Sequence, residues 1–183
     1  MPLVTSKEML AKAQKGGYAV GAFNAENMEM VKAIIQAAEE LKAPVMIQTT
    51  PSTIKYGTVE TYAAIVAAEA AKASVPVCLH LDHGSSFELA MQAIHAGYTS
   101  VMIDGSKMDF EGNIAETKRV ADVARALDIP CEAELGKVGG KEDDLEAEAD
   151  TNTDPQEAKE FVERTGVTSL AVAIGTAHGF YVG

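Results

Sequence analysis

Short apolar segments and longer amphipathic segments alternate along this chain. The apolar segments predict strands at 18–23, 45–50, 77–82, 99–104, 131–135 and 169–174. The amphipathic segments predict helices at 5–15, 26–41, 59–73, 87–96, 111–127 and 155–165. Thr5 and Glu8 have the spacing of a capping box, and Gly97 is a typical helix C-cap. The pattern predicts six strand–helix units with no linker between them.

Strands that alternate with helices imply a parallel sheet, which occurs both as a closed barrel and as an open doubly wound sheet. Polar residues near the C-terminal ends of the predicted strands distinguish the two. Residues i and i+2 of a strand share a face. The polar set is Gln48, Thr50, His80, Asp82, Asp104, Glu132 and Glu134. Such groups converge only when the sheet closes, so we predict an α/β fold of the TIM (β/α)8 barrel type.

The chain is shorter than a typical barrel. It has 183 residues, whereas a TIM barrel usually has about 250. We therefore expect residues 1–183 to form a single catalytic-barrel domain that holds about the first six βα units and is incomplete at its C-terminal end. The first and sixth strands would then expose their edges, which favours aggregation.

Composition and charge exclude several kinds of partner. The net charge is −12, and residues 132–150 contribute half of it; nucleic acid is not expected, because phosphate binding needs a basic surface. No apolar run approaches the roughly 20 residues of a membrane span, and the N-terminus lacks a signal-peptide pattern. Cys78 and Cys131 lie in predicted strands, which favours reduced, buried thiols and a cytoplasmic location.

The candidate chemistry lies at the C-terminal ends of two predicted strands. Asp82 and His83 end the strand at 77–82, and His178 follows the strand at 169–174. Each histidine alone could be an ordinary loop residue. Together they form a plausible pair of zinc ligands, because neutral imidazole suits Zn²⁺. Catalytic zinc normally has three protein ligands, so the pair is one ligand short.

The remaining histidines are poor candidates for that third ligand. His95 lies on a predicted helix, and His80 lies deeper in its strand, where it suits a packed, hydrogen-bonded core position. Asp104 and Glu134 end the fourth and fifth predicted strands. They could be metal ligands, partners of the ligands, or acids paired with a buried lysine.

A glycine-rich acidic segment at 136–153 is predicted to be a long polar loop. It lacks the Gly-Lys-Ser/Thr sequence of a P-loop and is typical of a lid over an active site. A glutamate on such a lid could act as a base after closure. Gly179 leaves backbone room for an anion, and Asn24 could donate a hydrogen bond.

Four motifs, in order along the chain, resemble the class II, zinc-dependent ketose-bisphosphate aldolases. They are LHLDHG at 79–84, VMIDGS at 101–106, EAELG at 132–136 with VGG at 138–140 and ED at 142–143, and AIGTAHG at 173–179. The resemblance covers the whole chain. The last motif looks closest to the tagatose-bisphosphate branch, with fructose-bisphosphate enzymes as near neighbours.

The resemblance implies a role for each candidate residue. His83 and His178 would bind zinc, and Asp104 and Glu134 would hold a secondary metal position. Asp82 would be the acid and base at the aldehyde end. Glu142 would take the proton from dihydroxyacetone phosphate. The implied substrate contacts are Asn24, Thr50 and Gly179, the last of these through a phosphate and a monovalent cation, Na⁺ or K⁺.

The implied reaction is the cleavage of a tagatose or fructose 1,6-bisphosphate to dihydroxyacetone phosphate and glyceraldehyde 3-phosphate, through an enediolate. The family usually forms homodimers or homotetramers. Its third zinc histidine lies on the seventh strand, beyond Gly183. Val182 stands where fructose-bisphosphate members often have a lysine, which weakens the fructose assignment.

Two other readings remain open at the level of sequence. The first is a catalytically inactive relative that binds a sugar phosphate or a metal. Asp82 and Glu142 argue against it, because a binding module needs no proton-transfer group. The second is a zinc hydrolase on the same barrel, which gives no role to the glycine-rich acidic segment.

Overall fold

The computed structural model describes residues 3–142, 145–147 and 152–179. The helices are α1 (Ser6–Gly16), α2 (Met28–Leu41), α3 (Pro51–Gly57), α4 (Val59–Ala70), α5 (Phe87–Ala96), α6 (Phe110–Ala126) and α7 (Pro155–Thr165). The strands are β1 (Gly21–Asn24), β2 (Val45–Thr49), β3 (Val77–Leu81), β4 (Ser100–Ile103), β5 (Cys131–Leu135), β6 (Gly139–Glu142), β7 (Leu145–Ala147), β8 (Ser169–Val172) and β9 (Ala177–His178). Every element predicted from the sequence is present.

Six parallel strands form the main sheet in the order β1-β2-β3-β4-β5-β8. The spatial order follows the chain order without reversal, whereas a doubly wound sheet reverses at a switch point. The sheet curls into a half-barrel. This confirms the predicted barrel-type α/β architecture for the first six βα units.

The larger core lies between the sheet and its helices. Alternate strand residues such as Ile47, Leu79 and Val101 point outwards into it, and each is fully buried. Helix residues such as Val31 and Val120 meet them with no exposed surface. These alternate residues therefore face the helices, and the strand residues between them lie on the opposite face of the sheet.

A smaller core lies on that opposite face, at the N-terminal ends of the strands. It consists of Met9 from α1 together with Met46 and Cys78. The segment before α1 is fixed by a hydrogen bond from the backbone N–H of Val4 to the carbonyl of Val77, at 2.9 Å. Helix α1 therefore covers this end of the inner face, and the polar groups of the inner face lie toward the other end.

The segment at 136–153, predicted to be a polar loop, contains regular structure instead. Within the described residues, β6 pairs with β7 in antiparallel and with β9 in parallel orientation, which gives a second sheet of three strands. These contacts are distant in sequence, so periodicity within the segment could not predict them. Gly139 and Gly140 are poor strand formers, which explains the wrong prediction.

Two smaller differences concern helix starts. Helix α3 was not predicted, although Thr50 caps it and Pro51 occupies its first turn, which is a typical helix start. Thr5 is the N-cap of α1, but its side chain makes no capping hydrogen bond, so the predicted capping box with Glu8 is wrong in that respect. In contrast, Gly97 caps α5 in the left-handed conformation, as predicted.

None of the helices in the described part of the chain has the length and the apolar character that a membrane span requires.

Candidate metal centre and active site

Three neighbouring strands bring one imidazole and two carboxylates together. His83 follows β3, Asp104 follows β4, and Glu134 lies near the end of β5. The Nδ1 atom of His83 is 3.0 Å from Oδ2 of Asp104 and 3.6 Å from Oε2 of Glu134. One ligand atom from each residue lies within 4.8 Å of the others. The three side chains predicted from strand ends therefore form one cluster.

The backbone around His83 is unusual. His83 has a φ of +48°, a conformation that non-glycine residues rarely adopt and that often marks a functional site. The next residue, Gly84, lies so close to β4 that a Cβ atom there would be 2.1 Å from the carbonyl oxygen of Met102. The carbonyl of Gly84 accepts a hydrogen bond from the backbone N–H of Asp104, at 2.9 Å. Glycine at this position thus lets the His83 loop contact the next strand.

Burial, charge and hydrogen bonding give the two carboxylates of the cluster different pKa values. Burial raises the pKa of Glu134 to about 7, and the neighbouring charge of Asp104 acts in the same direction. Burial alone would also raise the pKa of Asp104, but hydrogen bonds from His83 and Ser106 outweigh it and bring this pKa to about 2. Without a metal, Asp104 is therefore the charged partner of His83, and Glu134 holds a proton over part of the neutral range.

A second polar layer lies below this cluster, on the inner face of the sheet. The Nδ1 atom of His80 is 2.8 Å from Oγ of Ser100, which is 2.9 Å from Oγ of Ser6 on α1. Burial lowers the pKa of His80 to about 3, with a further contribution from His83. His80 is thus a neutral, hydrogen-bonded core residue, as the sequence predicted. Burial, followed by the charge of Asp82, raises the pKa of nearby Glu132 to about 7.

His178 lies beside the cluster. Its ring centroid is 5.6 Å from that of His83, with the planes at 67°. The two histidines predicted as a ligand pair are therefore neighbours. Strand β6 pairs with β9, so that Gly140 lies opposite His178. Glu142 follows two residues later at the end of β6, about 7 Å along the strand, and its side chain lies outside the described residues.

Asp82 directly precedes His83 and is 8% exposed. Its backbone N–H donates a hydrogen bond to the carbonyl of Thr49, at 3.0 Å. This bond ties the end of β3 to the end of β2. Asp82 is thus placed at the C-terminal edge of the sheet, beside the cluster and on the same loop as its histidine.

The predicted substrate residues lie on three different segments at the same end of the sheet. Asn24 ends β1 and pairs with Gln48 of β2. Thr50 follows β2, is 2% exposed and caps α3. Gly179 follows β9 with a φ of +86°, which favours glycine. Val182 lies outside the described residues.

Thr50 belongs to a hydroxyl chain that the sequence did not predict. The hydroxyl of Thr53 donates to Oε1 of Glu26 at 2.6 Å, and it lies 3.1 Å from the hydroxyl of Thr50. Glu26 comes from the loop after β1. The chain thus links the segments that carry Asn24 and Thr50.

Asn113 of α6 is a second residue that the sequence did not predict. Its amide donates to the carbonyl of Glu134 at 2.9 Å. The signal was a polar residue on the buried face of a helix, because Asn113 and Thr117 are spaced like the apolar residues that follow them.

The donor set of the cluster suits a divalent metal. Imidazole nitrogen and carboxylate oxygen are the ligands of many Zn²⁺ sites, and His83, Asp104 and Glu134 offer both types at close range. A cation would also offset the cost of burying two carboxylates together. The fold and the site together define a β/α-barrel protein of the kind whose active sites lie at the C-terminal strand ends.

Comparison with known proteins gives the particular family. Residues 4–183 match the family model of the class II fructose-bisphosphate aldolases, and the chain belongs to this family. It is 52% identical to the probable fructose-bisphosphate aldolase of Bacillus subtilis (strain 168), over 100% of this chain and 65% of that protein. It is 50% identical to the fructose-bisphosphate aldolase of Thermus caldophilus, over 99% of this chain and 60% of that protein. The chain therefore spans less than two thirds of the length of these curated relatives.

Solved structures agree with this assignment. The YdjI aldolase of Escherichia coli K12 superposes with a TM-score of 0.87 at 41% identity, over 96% of this chain and 64% of that one. The fructose-bisphosphate aldolase of Campylobacter jejuni gives a TM-score of 0.79 at 24% identity, over 97% of this chain and 60% of that one. The second likeness supports the fold alone.

Proposed function

We propose that this chain supplies the main part of the active site of a zinc-dependent aldolase. The enzyme would cleave a ketose 1,6-bisphosphate to dihydroxyacetone phosphate and glyceraldehyde 3-phosphate, and catalyse the reverse condensation. The observation that carries the proposal is the convergence of His83, Asp104 and Glu134, with His178 beside them, at the C-terminal edge of the sheet. The catalytic domain would comprise 1–183 together with further strands.

The metal would be held by His83 and His178 with one further ligand, and Asp104 and Glu134 would hold a second position. The adjacent rings of the two histidines support this set. When bound, Zn²⁺ supplies Lewis-acid stabilisation of the negative charge that develops on the substrate oxygens. A monovalent cation, Na⁺ or K⁺, would bind near Gly179 with a substrate phosphate.

Two carboxylates of the chain would move the protons. In cleavage, Asp82 would take the proton of the C4 hydroxyl as the C3–C4 bond breaks. The carbanion left at C3 is delocalised as an enediolate, and a proton delivered to that carbon by Glu142 completes dihydroxyacetone phosphate. In condensation, Glu142 would remove that proton and Asp82 would return the other to the new hydroxyl. Such proton transfers need each group within about 3 Å of its target in the productive complex.

Thr50 and Asn24 would orient the substrate. Both lie at the C-terminal edge of the sheet, on the loops after β2 and at the end of β1. The hydroxyl chain from Glu26 through Thr53 holds Thr50 in place. Hydrogen bonds from such fixed groups align the reacting carbons and reduce the entropic cost of reaching the transition state.

Fructose 1,6-bisphosphate is the first substrate to test, because both curated relatives at about 50% identity carry that name. Tagatose 1,6-bisphosphate, which the AIGTAHG motif favours, is its natural competitor in the assay. The two sugars differ at one carbon, and discrimination of this kind depends on a few contacts.

We also propose a cytoplasmic homodimer or homotetramer.

The decisive experiment follows proton exchange at dihydroxyacetone phosphate. In D₂O, the zinc-loaded protein that includes the further strands should catalyse the incorporation of deuterium into dihydroxyacetone phosphate at the carbon that becomes nucleophilic, as measured by ¹H NMR. Removal of zinc with a chelator should stop the exchange, and zinc should restore it. Glu142→Ala should suppress it, whereas Glu163→Ala, a change at an exposed site on α7, should not. Zinc binding without exchange or cleavage would instead support the inactive, metal-binding relative.

A further inference from the structure

Asn113 lies on the buried face of α6 and is 2% exposed. Its Nδ2 atom is 2.9 Å from the carbonyl oxygen of Glu134, and its Oδ1 atom accepts from the hydroxyl of Thr117 at 3.0 Å. A carbonyl oxygen can only accept, so the Nδ2 end of the amide must face Glu134. Both ends of the amide are therefore used, and its orientation is fixed.

The same amide packs against the chain that follows Asp104. A Cβ atom on Gly105 would lie 2.3 Å from Oδ1 and 2.8 Å from Cγ of Asn113. Any side chain at 105 would push the amide away or move the backbone beside Asp104. The φ of Gly105 is not in the left-handed region, so backbone conformation does not require glycine at this position. Glycine is needed here because the amide of Asn113 approaches so closely.

The amide acts where the strand pairing stops. The register of β4 and β5 ends with Ile103 opposite Ala133. The next residue of each segment is the carboxylate of the cluster, Asp104 or Glu134. Asn113 contacts the backbone of Gly105, directly after Asp104, and donates a hydrogen bond to the backbone carbonyl of Glu134. Asn113 thus bridges the ends of β4 and β5 directly after the last residue pair of the two strands.

We infer that Asn113 is a positioning residue of the metal centre: its amide sets the spacing of the strand ends that carry Asp104 and Glu134. The inference rests on the metal-dependent function proposed above and adds to it a residue that touches neither metal nor substrate. Groups that orient metal ligands typically contribute 10–100-fold in metal affinity. Asn113 does so through the backbone of the ligand rather than through its side chain.

The test measures the zinc affinity of the protein that includes the further strands, by competition with a chromophoric chelator. Asn113→Asp keeps the size of the side chain but places a carboxylate oxygen against the carbonyl of Glu134. We expect its zinc affinity to fall about 10–100-fold. The visible spectrum of the Co²⁺ form should also change, because it reports the geometry of the ligands and not the stability of the fold.

Thr117→Val is the matched control. It removes the hydroxyl that bonds the same amide, on the same buried helix face, but it leaves the bond from Asn113 to Glu134. It should lower the urea midpoint while zinc affinity and the Co²⁺ spectrum stay close to those of the wild type. If Asn113→Asp binds zinc as tightly as Thr117→Val does, the inference is wrong.

Gly105→Ala provides a second route should Asn113→Asp fail to fold. It retains the amide but displaces it, so zinc affinity should fall here too; wild-type affinity in this variant would overturn the inference. Failure of the proposed function looks different. In that case the wild-type protein itself would bind no zinc, or His83→Ala would bind it as well as the wild type does.

Discussion

The Nδ1 atom of His83 lies 3.0 Å from Oδ2 of Asp104, although the residues are 21 positions apart in the chain. Adjacent parallel strands and the close approach of Gly84 to β4 bring them together. Because one ring nitrogen is held by a carboxylate, the orientation of the imidazole is fixed. A histidine held in this way is typical of metal sites.

Replacement of Asp104 should therefore weaken metal binding. Asp104→Asn keeps the shape of the side chain but removes its charge, so we expect zinc affinity to fall about 10–100-fold. Chelator competition gives this value directly. Asp122→Asn, on the exposed surface of α6, should leave the affinity unchanged; an equal loss in both variants would mean that general charge, not the cluster, attracts the metal.

The stability of the metal-free protein should depend on pH through Glu134. Its pKa is raised from 4.5 to about 7, chiefly by burial. Between these values the folded state keeps a proton that the unfolded state releases. The contribution of Glu134 to the free energy of unfolding is fully present below pH 4.5. It is lost as the pH rises through 7, at up to about 1.4 kcal/mol per pH unit.

Glu134→Gln isolates this contribution, because the variant carries no titrating group at that site. Urea unfolding of the metal-free protein at pH 5, 6, 7 and 8 should show a smaller loss of stability with rising pH than in the wild type. Glu163→Gln, at a residue that is 66% exposed, should keep the wild-type slope. Identical slopes in all three proteins would contradict the raised pKa.

Much of this arrangement follows from local patterns in the sequence. Short apolar runs indicated the strands β2, β3 and β4, and polar residues at alternate positions near the strand ends indicated a shared face of the sheet. The acids and the histidine that lie at or directly after the ends of β3, β4 and β5 indicated the edge where the site lies. These features are local, because a parallel strand leads each terminal residue to the same edge of the sheet.

Other features depend on contacts that no local pattern contains. Strand β9 is only two residues long and exists because it pairs with β6. The amide of Asn113 donates a hydrogen bond to Glu134, which is 21 residues away. The hydroxyl of Thr53 donates one to Glu26, which is 27 residues away. Tertiary packing decides such contacts, so a polar residue on a helix could be recognised from the sequence but its partner could not.

The close approach of Gly84 to β4 should make this position intolerant of a side chain. In Gly84→Ala the new Cβ would be 2.1 Å from the carbonyl oxygen of Met102, which belongs to a strand and cannot move freely. We expect a loss of about 2–4 kcal/mol in the free energy of unfolding, measured with urea. In Gly112→Ala the new Cβ would come closer than 3.4 Å only to Oδ1 at the end of the Asp109 side chain, so this variant should cost far less; similar losses in both variants would contradict this picture.

In residues 1–183 prepared without the further strands proposed above, apolar surface beside the edge strand β1 should cause self-association. Phe23 is 51% exposed and Leu41 is 77% exposed, and both border an apolar groove between β1 and α2. Exposed apolar edges favour aggregation. Leu41→Glu should therefore reduce the light scattering of concentrated protein. Leu127→Glu, at a residue that is 56% exposed at the end of α6, should have a smaller effect; the edge assignment fails if it has the larger one.

Asp82 and Glu142 should act on different halves of the reaction. Asp82→Ala removes the acid and base for the C4 hydroxyl, so cleavage of the bisphosphate should fall about 10²–10⁴-fold. Deuterium exchange into dihydroxyacetone phosphate should fall much less, because that step involves no C4 hydroxyl. Glu142→Ala should reduce both, since cleavage also ends with a proton delivered to the same carbon. Spectrophotometric cleavage assays and NMR exchange on the same zinc-loaded preparations separate the two. An equal loss of cleavage and exchange in Asp82→Ala would assign Asp82 to the metal centre and not to the aldehyde end.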